Sequence, residues 1–386
     1  ALCSCLVATG ALSRTKLLVE QHRSHFAAVR AAHPWLPETR LEHIIGREEI
    51  AIALGAHAGI AVGHAASAAS HSIRRAAADI LAKLYPNYIY ICGGYDGVQS
   101  SCAVERFDPV STVWRPMPPM SERRQHGAAA VIGGRLYTCG GWDGRQALNS
   151  CERFDPLVGS WEQLPSMSER RDGASAAAAG GRLYICGGRD STELSSVVRF
   201  DPDTNAWHTL SPMSERRSRA VAKSIAGRLY VCGGEVGARV LSSLERFDCT
   251  ADPRFGDRGV FLHGYGSIPV VWEPLPPMLE RRAAAAAAVI SGKLFVCGGW
   301  CDSQTLDSLE CFDPERSEWA ALMSMGERRD GATAAAVAGK LYVFGGLDGW
   351  RCLSSVECFD PSTGGWTVLT PMQRGQVHAV AAVLSG

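Results

Sequence analysis

The chain has 386 residues, with 39 basic and 39 acidic side chains and a formal net charge of zero. Balanced charge argues against a nucleic-acid binder, which normally carries a basic excess. A hydrophobic share of 46% permits a large buried core, and 41 glycines with 10 tryptophans favour a turn-rich all-β body.

In chain order, residues 1–87 read as a mostly helical segment, a remnant of a larger domain or partly disordered. Candidate helices span 14–32, 38–54 and 72–84, and the last places Ile73, Ala77, Ile80, Leu81 and Leu84 along one face. Residues 50–70 lack any Asp, Glu, Lys or Arg and space Gly55, Gly59 and Gly63 four apart. They are rich in Ala and Gly rather than Leu and Ile, so no membrane span is expected there.

From Tyr88 onward the chain repeats itself. Gly-Gly pairs follow apolar runs at Gly93, Gly140, Gly187, Gly233, Gly298 and Gly345, spaced 47, 47, 46, 65 and 47 residues apart. Each pair is followed by a run such as VERFDP, then by a tryptophan: Trp114, Trp161, Trp207, Trp272, Trp319 and Trp366. Five copies continue with Met-x-Glu-Arg-Arg, from Met120, Met167, Met213, Met278 and Met325. A small-residue stretch leads into the next unit. Four short β-type runs separated by turn residues, at this period, read as one blade of a propeller. The six consecutive alanines from Ala283 align with stretches containing Gly, Ser, Val and Thr, so they read as an innermost strand despite their helix propensity. The first unit lacks an innermost strand, and residues 376–384 supply one after the last unit. This predicts a six-bladed ring closed by its C-terminal strand, with no exposed edge.

Cys92, Cys139, Cys186, Cys232 and Cys297 occupy the same slot before successive Gly-Gly pairs. That places them on separate blades as buried free thiols and points to a reducing compartment, cytosol or nucleus. No CxxC pair occurs, and no metal or cofactor is expected. His126 and His378 fall at equivalent positions in neighbouring blades, but two histidines without a third ligand make a weak metal site. There is no nucleophile elbow or phosphate loop, and CGGYDG reads as a blade turn.

The Gly-Gly pair, the FDP aromatic and the tryptophan seven positions later resemble kelch repeats, over residues 88–386. The phase is similar to that of kelch-like proteins, substrate receptors of cullin-3 ubiquitin ligases in which BTB and BACK domains precede the propeller; neither is recognisable in residues 1–87. The resemblance implies a non-catalytic propeller that binds a protein or peptide partner, with cullin-3 machinery engaged where a BTB region lies upstream. It also leaves open an actin-associated or assembly scaffold, and a propeller enzyme. Partner peptides are implied on the face shared by the loops after Gly-Gly and the Glu-Arg-Arg connections. The candidates there are Tyr95, Trp142, Arg189, Trp300 and Trp350, with the second arginines Arg124, Arg171, Arg217, Arg282 and Arg329; Arg and Trp are favoured binding anchors. Recurrence in every blade equally suits a structural tie for the arginines. The insertion at 249–271 projects from the opposite face and reads as a surface loop or second contact surface.

Overall fold

Strand formation follows from alternation and from where glycine interrupts it. In the computed structural model, which describes residues 87–249 and 272–385, blade 2 runs Ala128–Ile132, Arg135–Cys139, Cys151–Asp155 and Ser160–Leu164, hydrogen-bonded in that order. The first two strands are joined by Gly133-Gly134, both at positive φ, which is the two-residue hairpin geometry that matches strand twist. Ala226-Gly227, Ser291-Gly292 and Ala338-Gly339 repeat it. The third strand ends at the FDP aspartate, whose carboxylate accepts turn N–H groups and pairs with a cation at the start of the second strand, as in Arg135–Asp155 at 2.9 Å.

Six such four-stranded sheets form the ring. The alanine run leads into the innermost strand of blade 5, Ala286–Ile290, with its last three alanines in the strand and Ala283–Ala285 in the connection before it. Closure is as the repeat phase predicts: Val380–Ser385 pairs with Asn87–Cys92, in the register Val380↔Cys92 and Val383↔Ile89, and completes blade 1. The described residues of this unit are all β and loop. The helices expected at 14–32, 38–54 and 72–84, the 50–70 stretch and residues 250–271 of the insertion lie outside the described residues.

The core lies between blades. Each repeat tryptophan packs on the FDP phenylalanine of its own blade, at centroid distances of 4.8–5.2 Å. Its indole N–H crosses to a carbonyl of the preceding blade: Trp161 to Pro118 at 2.9 Å, Trp207 to Pro165 at 2.7 Å, and Trp114 back to Thr370 at 3.2 Å across the closure. These side chains are therefore ties between blades, Trp272 buried and the other five half-buried. The cysteines before Gly-Gly are free and buried, and burial pushes the Cys186, Cys232 and Cys297 thiols up to about 12.

Candidate functional site: the Gly-Gly face

The Gly-Gly pair sets the geometry of this face. The first glycine has φ of 61–69° and lies so close to the carbonyl of the residue at the second-arginine position that any Cβ would overlap it. The second glycine donates its N–H to that same carbonyl, as from Gly141 to Arg171 at 2.8 Å. Only glycine satisfies both the conformation and the approach.

The second arginines turn inward. Arg124, Arg171, Arg217, Arg282 and Arg329 are at most 2% exposed. Arg124 reaches into the next blade. Its Nε donates to Glu152 at 3.1 Å, Nη1 to the carbonyls of Gly140 and Ser150 at 2.9 and 3.1 Å, and Nη2 to Glu122 and the Ser150 hydroxyl at 3.0 and 2.9 Å. Arg217, Arg282 and Arg329 repeat this on Glu245, Glu310 and Glu357. This corrects the expectation that these five anchor a partner. They are seam ties between blades, and those of Arg124, Arg217, Arg282 and Arg329 have their donors engaged. The exposed arginine of each pair is the first one: Arg123, Arg170, Arg216, Arg281 and Arg328. In an extended connection, neighbouring side chains point opposite ways; the sequence alone does not say which goes in.

The residues after Gly-Gly are brought together on one face. Tyr95, Trp142, Arg189, Glu235, Trp300 and Leu347 each bridge through backbone to a residue of a connection, Trp142 to Gln125 and Trp300 to Ala283. Arg189 is exposed, while Tyr95, Trp142 and Trp300 are half-buried. Beyond them, an Asp holds each typical loop by accepting its own N–H groups: Asp96 from Val98 and Gln99, Asp143 from Arg145 and Gln146, Asp348 from Trp350 and Arg351. Those backbone bonds hold Asp96 and Asp348 below the usual carboxylate range. The loop tips are thereby fixed. Trp350 is 96% exposed and Val98 84%, on adjacent blades 6 and 1. Between blades 1 and 2, Tyr95, Val98, Arg123, Trp142 and Arg145 line one cleft.

Nearer the axis lies a ring that sequence reading missed. His126, Gly173, Arg219, Ala284, Gly331 and His378 all have φ between 51° and 66°. Each N–H donates to the carbonyl of the preceding member: Gly173 to His126, Arg219 to Gly173, Ala284 to Arg219, Gly331 to Ala284, His378 to Gly331 and His126 to His378, at 2.7–3.2 Å. Left-handed backbone is costly for His, Arg and Ala; the closed cycle of hydrogen bonds offsets that cost. Gly331 leaves the space that the His378 ring occupies. The two histidines do meet, with centroids 3.9 Å apart. Burial, then His126 and Arg219, hold His378 well below the usual histidine range. Asp172 lies 3.1 Å from His126 Nδ1 and 3.7 Å from Arg189, and Arg219 lies 3.5 Å from Glu235. Burial raises Asp330 to about 6. Among the described residues no group of three or more His, Cys, Asp or Glu is arranged to hold a metal.

Comparison with known proteins agrees with this geometry. Residues 68–234 match the family model described as the KLHDC2/KLHL20/DRC7 Kelch-repeats domain, and residues 281–326 and 328–373 each match the Kelch motif. The stretch between them contains the insertion of blade 4. A solved structure described as "Structure of YjhT" superposes with a TM-score of 0.58 at 15% identity, covering 72% of this chain and 97% of its own; a likeness at that identity concerns the fold alone. Kelch propellers serve generally as protein-interaction modules and are typically non-catalytic. With six aligned repeats, six closed blades and matches over more than half its length, the chain belongs to the kelch-repeat family.

Proposed function

We propose that the Gly-Gly face over blades 6, 1 and 2 binds a peptide segment of a protein partner, without catalysis. The observation that carries this reading is Trp350. It is a large apolar side chain, 96% exposed, on a loop tip that Asp348 fixes in place, beside exposed Val98. An exposed tryptophan on a loop whose backbone is already held supplies contact area with little backbone left to order. The same face over these blades carries half-buried Tyr95 and Trp142 and exposed Arg123, Arg145, Arg351 and Arg374, so the partner chemistry favoured is a segment combining apolar and acidic side chains. Arg189 and Trp300 lie on the same face in blades 3 and 5, outside this sector.

The finer role we favour is substrate recognition for a cullin-3 ubiquitin ligase, supported by the resemblance of the repeat phase to kelch-like adaptors. A cytosolic or nuclear site of action accords with the free cysteines among the described residues. Affinity purification with mass spectrometry, comparing wild type with Val98→Ser/Trp350→Ala, tests the face. Both positions are solvent-exposed, so the variant should melt like wild type and lose its partners. Recovery of cullin-3 components among those partners supports the adaptor role, and recovery of actin or actin-associated proteins supports the scaffold instead. Partners retained at wild-type level by the folded variant would refute the assignment of this sector.

A further inference from the structure

The six inner strands enclose an axial channel whose lining is mostly Ala and Gly, holding a cavity of about 140 Å³. A single buried water needs roughly 10–15 Å³ of such space. Four ionisable side chains line the cavity, His126, Arg219, Lys223 and His378, and no carboxylate does. Lys223 is the anomaly among the repeats. At its position in the inner strand the other five blades carry alanine: Ala130, Ala177, Ala288, Ala335 and Ala382. Among the described residues its ammonium has no hydrogen-bond or ion-pair partner, and burial pulls it below the ordinary lysine range. A cation partly withdrawn from water among alanines favours a partner of opposite charge. Four residues earlier, Arg219 leans over Gly173 at the mouth. The acids around the mouth are set back from the cavity wall, with Glu235 against Arg219, Asp172 against His126 and Arg189, and Asp330 behind.

We infer that the channel binds a small oxyanion, of the size of phosphate or a short-chain carboxylate, held by Lys223 and Arg219 with His126 and His378 at the mouth. Low-dielectric walls lined by one sign of charge concentrate counter-ions. The two histidines contribute N–H donors, and the backbone ring at the mouth holds the chain that carries them.

The test is calorimetric titration of phosphate and of acetate into the whole chain at low ionic strength, with thermal melts alongside. Lys223→Ala restores the residue the other five blades carry, so the variant should fold. Saturable binding is expected to wild type, with a melting temperature that climbs with phosphate beyond an equal ionic strength of sodium chloride. Lys223→Ala should bind at least tenfold more weakly, and the Val98→Ser/Trp350→Ala variant should bind as wild type does. Absence of saturable binding of either anion to wild type would overturn the inference, as would wild-type affinity in Lys223→Ala.

Discussion

Four of the six seams between blades are built alike, and two are not. In the seams closed by Arg124, Arg217, Arg282 and Arg329, the guanidinium meets a buried glutamate of the next blade, two carbonyls, a serine hydroxyl and its own connection's glutamate. Between blades 2 and 3 the arginine stays but the glutamate becomes Val198, and Arg171 Nε is left without a partner. Burial accordingly lowers Arg171 from its ordinary value. Between blades 6 and 1 the reverse happens. Glu105 stays, but Gln376 replaces the arginine, Ala103 the serine and Arg374 the first glutamate. Glu105 Oε2 and Gln376 Oε1 then lack donors. The pair is thus a unit. Removing either half leaves the other as a buried group with nothing to meet, and one arginine can be tolerated singly only because its remaining donors stay engaged.

The largest expected effect breaks an intact seam. Arg282→Met should strip Glu310 of its cation and leave the Gly298 and Ser308 carbonyls short of a donor, lowering stability by about 3–5 kcal/mol. Arg171→Met should cost distinctly less, about 1–3 kcal/mol, because no buried carboxylate is orphaned. Urea midpoints of the two variants decide the matter; equal losses would mean that the glutamate contributes nothing to the seam. The converse experiment repairs the odd seam. Val198→Glu places a carboxylate opposite Arg171 Nε, as in the four intact seams, and should raise stability by about 1 kcal/mol. A lower midpoint would show that local packing around Val198 outweighs the missing ion pair.

Much of this architecture is legible in the amino-acid sequence. The Gly-Gly columns, the tryptophans and the displaced inner strand fixed blade number and closure, because each reflects a contact repeated six times. The functional face was legible only as a face. Within Glu-Arg-Arg both arginines recur equally, and recurrence cannot tell Arg123, which reaches solvent, from Arg124, which disappears into the next blade. The mouth ring was not legible either, because it depends on left-handed backbone at His126, Arg219, Ala284 and His378, residue types that carry no such signal. Lys223 and Val198 differ from their columns in plain view. Their meaning needed the environment, an alanine-lined channel in one case and an unpaired Nε in the other.

The smallest expected effect sharpens the comparison through pH. Burial raises Glu105 above the usual carboxylate value, and nearby Arg374 only partly counters it. The folded state therefore holds this proton more tightly than the unfolded chain. Its contribution to stability is greatest below the unfolded value and is lost as pH rises through the raised folded one. Glu105→Gln mimics the protonated form at every pH. At neutral pH it should be slightly more stable than wild type, and the difference should vanish in mild acid. Glu152→Gln, in the intact seam, should do the opposite at neutral pH, because it removes the carboxylate that Arg124 meets at 3.1 Å. Midpoints of both variants across the acid-to-neutral range give the answer. If the two glutamines shift stability in the same direction at neutral pH, then the presence of the arginine is not what separates the two seams.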